Sequence, residues 1–204
     1  MNSPASSDLA SSQVASWSLD ILQALEHLHG LDPVVMHRDL KPANILVSRD
    51  RRTLKLADFG LAKRFDCCRL PPPESSPLGR RHTCNIGTPR YMAPEVLKHL
   101  IVGDVDTHQA VYTEKADVYS AALILWYLLS GWQPSCSARR DPHERPDLRA
   151  ARWRWGALAR LLERMWDEDP DARPAAAECA EAVRGMAAGA AGCGTGAGEA
   201  CSVQ

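Results

Sequence analysis

Net charge is almost absent from this chain: 24 Lys plus Arg stand against 25 Asp plus Glu, leaving −1. No global field therefore points to nucleic acid or to an anionic membrane. Long apolar runs are missing as well. The strongest, Ala121 to Leu129, falls far short of the ~20 residues that a membrane-spanning helix needs. Residues 1–15 are rich in Ser and Ala and lack the basic start and apolar core of a secretory signal. None of the seven cysteines (Cys67, Cys68, Cys84, Cys136, Cys179, Cys193, Cys201) stands in a Cys-x-x-Cys pair, which excludes zinc-ligand spacing. Their count is odd, and 204 residues can bury a core without disulfide staples. Reduced, inert thiols are expected, with adjacent Cys67 and Cys68 the pair open to oxidation. No internal repeat is visible. An intracellular, cytoplasmic location is the expectation.

What is present divides into three parts. Residues 1–15 read as a disordered or remnant segment, 16–186 as one mainly α domain, and 187–204 as a disordered Gly/Ala-rich tail. Leu19, Ile21, Leu22, Leu25 and Leu28 recur at three- and four-residue spacing, predicting an amphipathic helix from about Ser16 to Gly30. Ile45-Leu46-Val47 and Leu54-Lys55-Leu56-Ala57 flank a polar turn and predict a β-hairpin. Residues 66–83 hold Pro71-Pro72-Pro73, Pro77 and Gly79, and read as a flexible loop. Asp117 to Leu129 predicts a buried helix capped by Gly131. Trp155 to Trp166 predicts an amphipathic helix with Leu158, Leu161, Leu162, Met165 and Trp166 inward. A last Ala-rich helix is expected from Pro174 to about Met186. Trp153, Trp155 and Trp166 read as core or surface-covering aromatics. Two local charge clusters stand out: Arg49, Asp50, Arg51 and Arg52, then Arg80, Arg81 and His82.

The chemistry-bearing residues bracket the hairpin. Asp39 and Asn44 lie just before its first strand and Asp58 just after its second. The hairpin folds the chain back on itself and so brings Asn44 near Asp58. Oxygen donors of this kind suit Mg²⁺, and Asp39 beside them is a candidate base. Metal ions on phosphate oxygens, with a carboxylate aimed at a hydroxyl, are what phosphoryl transfer needs.

His37-Arg38-Asp39-Leu40-Lys41-Pro42-Ala43-Asn44 resembles the catalytic loop of protein kinases. Ala57-Asp58-Phe59-Gly60 resembles the metal-binding motif that opens their activation segment. Gly87-Thr88-Pro89-Arg90-Tyr91-Met92-Ala93-Pro94-Glu95 resembles the motif that closes it. Asp117-Val118-Tyr119-Ser120 and Arg173-Pro174 resemble the entry to the central helix and the late Arg of the same family. These five motifs run in the family's order from His37 to Pro174, and the resemblance covers roughly residues 16–186.

The resemblance implies a kinase-like fold and, with ATP and Mg²⁺, transfer of a phosphoryl group to protein Ser or Thr hydroxyls. Asp39 would accept or orient the hydroxyl proton. Lys41 would neutralise the transferring group, and its presence resembles serine/threonine rather than tyrosine kinases. Asn44 and Asp58 would hold Mg²⁺. Arg38 would pair with a phosphorylated activation-segment residue, with Thr83 preferred over Ser75 and Ser76. Thr88 would hydrogen-bond near Asp39 and Lys41. Glu95 would pair with Arg173, Asp117 would hold the catalytic-loop backbone, and His37 would stack with Phe59. Glu144-Arg145-Pro146 resembles a motif of tyrosine-kinase-like serine/threonine kinases.

The sequence also departs from that family. No Gly-x-Gly-x-x-Gly precedes His37, and no Lys precedes Lys41. The expectation is a C-terminal lobe without its N-terminal lobe: mainly α with a short β-hairpin, poor ATP affinity and little activity for this chain alone. A catalytically impaired scaffold or docking module is the competing expectation. A small-molecule phosphotransferase would share a His-x-Asp…Asn loop but not Leu40-Lys41-Pro42 together with Met92-Ala93-Pro94-Glu95. Substrate identity and oligomeric state leave no trace in the sequence.

Overall fold

Apolar residues three and four apart on one helical stripe must find a partner surface, and the first helix shows how this chain meets that demand. The computed structural model describes residues 11–65, 89–97, 113–134 and 147–192. Helix α1 (Ser11–His29) buries Val14, Ile21, Leu22 and Leu25 along a single face. It begins earlier than the expected Ser16, because Val14 extends the buried stripe by another turn. Residues 11–15 are therefore helical rather than disordered.

Four three-residue strands follow: β1 (Val34–Met36), β2 (Ile45–Val47), β3 (Leu54–Leu56) and β4 (Lys63–Phe65). β2 and β3 pair antiparallel with Ile45 opposite Leu56 and Val47 opposite Leu54, the expected hairpin. β1 and β4 form a second antiparallel pair, with Met36 opposite Lys63, that the sequence pattern did not signal. Runs this short carry too few alternations to register as strands. Two clasps fix the hairpin to α1. Leu54 N donates to Asp20 Oδ2 at 2.8 Å, and Trp17 Nε1 donates to the Arg51 carbonyl at 3.1 Å.

The rest is helical. A helix opens at Pro94, where the missing N–H costs nothing, and is described to Leu97. Helix α2 (Lys115–Ser130) is buried at every position from Asp117 to Trp126, as its all-round apolar sequence demands. Gly131 ends it in the left-handed region (φ 74°), donating to the Tyr127 carbonyl at 2.9 Å. Helix α3 (Arg149–Met165) starts before the expected Trp155. Trp155 is instead a break within it, with non-helical φ −132° and ψ 35°. Leu158, Leu161, Leu162, Met165 and Trp166 point inward as predicted. Helix α4 (Ala176–Gly192) runs past Met186, since alanine favours continuation of a helix. Residues 187–192 are thus helical where a disordered tail was expected, and 193–204 lie outside the described residues.

α1 packs on α4, β3 and α2, and α2 on α3. One cluster of buried side chains joins them, with Leu22, Leu25, Leu123, Leu125, Leu162 and Val183 all fully buried or nearly so. The mainly α architecture with the β2–β3 hairpin is the one the sequence predicted, the β1–β4 pair is additional, and residues 37–44 lie between β1 and β2.

Candidate active site

The segment from His37 to Asn44 is too polar to bury without partners, so its hydrogen bonds must be accounted for one by one. Asp117, at the start of α2, supplies two of them. Its Oδ2 accepts from His37 N at 2.8 Å and its Oδ1 from Arg38 N at 2.9 Å. Arg38 occupies the left-handed region (φ 68°), which a non-glycine residue holds only when its surroundings impose it. The paired amide bonds to one buried carboxylate are that imposition.

His37 is fully buried. Its Nε2 lies 3.1 Å from the Ala57 carbonyl, which can only accept, so Nε2 carries the proton. Nδ1 is then an acceptor, and Asp39 N approaches it at 3.4 Å. The imidazole has both nitrogens committed to holding the loop against the strand that precedes Asp58. The Phe59 ring sits beside it, centroids 5.1 Å apart and tilted by 53°.

Asp39 is 7% exposed and Asn44 5%. Lys41 Nζ lies 2.7 Å from Asp39 Oδ2. Asn44 Nδ2 donates twice, to the Asp39 carbonyl at 2.8 Å and to Asp39 Oδ2 at 3.0 Å. Asp39 Oδ2 is thereby occupied, while Oδ1 carries no hydrogen bond among the described residues. The double donation also orients the Asn44 amide, leaving its Oδ1 as the face available to a ligand.

Asn44 and Asp58 come together through the backbone. Ala57 N donates to the Asn44 carbonyl at 2.9 Å, extending the hairpin ladder by one pair beyond Ile45 and Leu56. Asp58 follows at once in the left-handed region (φ 61°), its Oδ1 accepting from Gly60 N at 3.3 Å. The exposed Asp58 carboxylate, one residue beyond the backbone pairing with Asn44, and the Asn44 amide oxygen are hard oxygen donors. They fit Mg²⁺, which takes one or two carboxylates and leaves its other positions to water and phosphate. Among the described residues no cluster of three His, Cys, Asp or Glu side chains forms an all-protein metal cage.

A family model described as "Protein kinase domain" matches residues 3–183. The chain belongs to the protein kinase domain family. It is 32% identical over 186 residues to the Dictyostelium discoideum protein named "Probable serine/threonine-protein kinase drkC", a match covering 85% of this chain and 22% of that protein. It is 35% identical over 165 residues to the Arabidopsis thaliana serine/threonine/tyrosine-protein kinase HT1, covering 77% and 36% respectively. With the A. thaliana serine/threonine-protein kinase VIK the identity is 34% over 176 residues, covering 81% and 36%. The chain spans between 22% and 36% of the length of these relatives.

The kinase motifs farther along the chain meet at a second centre. Arg173, its side chain fully buried, donates to Glu95 through both terminal nitrogens at 2.8 Å. Its remaining donors reach the carbonyls of Lys115 (3.1 Å), Asp167 (2.8 Å) and Glu168 (3.4 Å). The guanidinium also lies over the Tyr119 ring, 5.0 Å from its centroid. A buried charge is tolerable only when satisfied this fully. Ser120 Oγ adds a bond to the Tyr91 carbonyl at 2.7 Å, tying the closing motif of the kinase activation segment to α2. Arg90 and Gln133 hydrogen-bond across the same face.

Two further residues of this kinase site had no signal in the sequence pattern. His29 Nε2 reaches Asp117 Oδ2, and only the last-turn position of the histidine on α1 hinted at a role. Leu46, two residues past Asn44, presents an apolar side chain that is 58% exposed. Thr83, Thr88, Ser75, Ser76 and Glu144-Arg145-Pro146 lie outside the described residues, as do Cys67, Cys68 and the 66–83 loop. The side chain of Trp153 does so as well, although its backbone is helical.

Proposed function

We propose that this chain carries the phosphoryl-transfer centre of a serine/threonine protein kinase. The observation that supports it most is the dual engagement of Asn44. Its side chain holds Asp39, and its carbonyl pairs with the residue before Asp58. One residue, through its side-chain amide and its backbone carbonyl, therefore couples the candidate base to the candidate metal donors.

In this reading Asp39 Oδ1 receives the proton of a protein Ser or Thr hydroxyl, with Oδ2 held by Asn44. Lys41 swings from Asp39 to the transferring phosphoryl group, offsetting the charge gathered on its oxygens. Asn44 and Asp58 would hold Mg²⁺, which would supply neutralisation of the phosphate oxygens of ATP. Arg38 pairs with a phosphorylated residue of the activation segment, with Thr83 the favoured one. Leu46 supplies an apolar surface against which a nucleotide base rests. The substrates are proteins. No described helix is long and apolar enough to cross a membrane.

A docking module that does not catalyse is the second reading, favoured by the exposure of Phe59 (48%) and Leu46 (58%). Apolar groups of that size on one edge of a site invite a covering partner. Calorimetric titration with ATP and Mg²⁺, followed by phosphotransfer from radiolabelled ATP to a generic basic protein, separates the two. The kinase reading expects weak, Mg²⁺-dependent nucleotide binding that Asp58→Ala removes and Asp39→Asn keeps, with Asp39→Asn removing any transfer. Nucleotide binding that ignores both Mg²⁺ and Asp58→Ala would overturn it.

A further inference from the structure

The hairpin turn between β2 and β3 carries a charge pattern that phosphoryl transfer does not use. Arg49, Arg51 and Arg52 lie within four consecutive positions, and Lys55 follows on β3. All four are exposed. Among the described residues none of them has an acidic partner. The turn's own acid stays charged and pairs with none of them, leaving three arginines against one carboxylate. Asp50 Oδ1 accepts from Ser48 Oγ at 2.6 Å and from Arg52 N at 3.1 Å. The Ser48 hydroxyl, and then the Arg52 amide, hold the Asp50 carboxyl below its ordinary value. On α1, Asp20 Oδ2 is likewise committed, to Leu54 N.

The turn is also rigid. Ser48 N donates to the Thr53 carbonyl at 2.9 Å, Thr53 N to Ser48 Oγ at 2.9 Å, and Arg51 N to the Ser48 carbonyl at 2.8 Å. Arg51 takes the left-handed conformation (φ 57°), and Trp17 clamps its carbonyl at 3.1 Å. A preorganised turn loses little entropy when its side chains are engaged. Guanidinium groups favour bidentate contact with planar or tetrahedral oxyanions.

We propose that the turn at residues 48–53 docks an acidic segment of a partner protein, engaging its carboxylate or phosphate groups through Arg49, Arg51 and Arg52. Charge complementarity carries the choice of partner. Specific binding to a nucleic-acid duplex commonly draws on some 6–10 phosphate contacts, more than one turn of this size offers. A polybasic membrane site gathers about 4–8 cations beside a membrane-spanning helix or on an amphipathic one, whereas this turn joins two three-residue strands. The chain as a whole is close to neutral, so the attraction is local to the turn. The turn lies one strand away from Asn44, on the order of 10–15 Å. The proposal therefore stands apart from the phosphoryl-transfer reading and survives its failure.

Fluorescence anisotropy on the whole chain tests it with three short labelled peptides: Glu-rich, phosphoserine-rich and neutral Ser/Gly. Binding of the acidic peptides and not the neutral one is expected, weakening as salt rises. Arg49→Glu with Arg52→Glu is expected to lower affinity roughly tenfold or more. Adding Arg51→Glu lowers it further. Replacing all three by Lys keeps the charge and loses the bidentate geometry, so an intermediate affinity is expected. Tighter binding of the phosphoserine peptide identifies phosphate as the source of the anion, and equal binding identifies carboxylate. Should the triple variant misfold, the double variant, altered only at two exposed side chains, still decides. Peptide affinity unchanged by charge reversal overturns the proposal. So does stronger Arg-dependent binding of a DNA duplex or of phosphatidylserine vesicles.

Discussion

His29 Nε2 lies 3.1 Å from Asp117 Oδ2, a contact between residues 88 positions apart in the sequence. The same carboxylate accepts from the amides of His37 and Arg38. A carboxylate only accepts, so the imidazole donates through Nε2, and its Nδ1 is left buried without a partner. The end of α1, the start of α2 and the catalytic loop thus share one anion.

Removing that donor loosens the loop. His29→Leu should destabilise the protein by about 1–3 kcal/mol in urea unfolding. Amide exchange at His37 and Arg38 should quicken. His29→Gln retains an N–H donor and should recover part of the loss. Equal stability and equal exchange in His29→Leu would show that Asp117 holds the loop unaided.

Arg173 and Glu95 test the second centre. Glu95→Gln leaves the Arg173 charge buried with only carbonyl partners and should cost about 3–5 kcal/mol. Arg173→Lys should fare little better, because one ammonium cannot reach Glu95 and the carbonyls of Lys115, Asp167 and Glu168 together. Denaturant midpoints of the two variants check this, and a loss below about 1 kcal/mol in both would contradict it.

Lys41 and Asp39 form a pair whose disruption should separate binding from chemistry. Lys41→Ala frees Asp39 Oδ2 of its 2.7 Å contact yet leaves the Asn44 bonds intact. Any phosphotransfer should fall by roughly 10²-fold or more. Mg²⁺-dependent nucleotide binding, measured by calorimetry, should change far less. A variant that transfers phosphate at the original rate would remove Lys41 from the mechanism.

Cys179 sits fully buried on α4, and burial pushes its thiol from 9.0 up to about 12. At neutral pH it should resist iodoacetamide until the chain unfolds. The sign of its pH dependence follows from linkage. The unfolded thiol ionises above its ordinary value of 9.0 while the folded one keeps its proton. This contribution to stability is thus complete below about pH 9 and declines from there towards 12. Cys179→Ala should flatten that decline in denaturation curves recorded across the range.

Much of the site was legible because kinase motifs are contiguous. Asp39, Lys41 and Asn44 fall within one loop, and Asp58 follows a hairpin whose apolar runs and polar turn are plain in the sequence. Helix α2 was equally plain, since an apolar surface on all sides leaves burial as its sole solution. Helix ends were less so. Val14 carried α1 back beyond Ser16, Trp155 broke a helix it was expected to begin, and alanines carried α4 past Met186.

The sequence by itself determined the family and the order of its motifs, because those depend on local spacing. Tertiary structure decided what holds them in place. The pairing of β1 with β4, the shared use of Asp117 by His29, His37 and Arg38, and the bonds of Arg173 to Glu95 and Lys115 all join residues distant in the chain. Such contacts arise only when packing of α1, α2 and α4 brings separate segments within hydrogen-bond reach, and no local pattern encodes that distance.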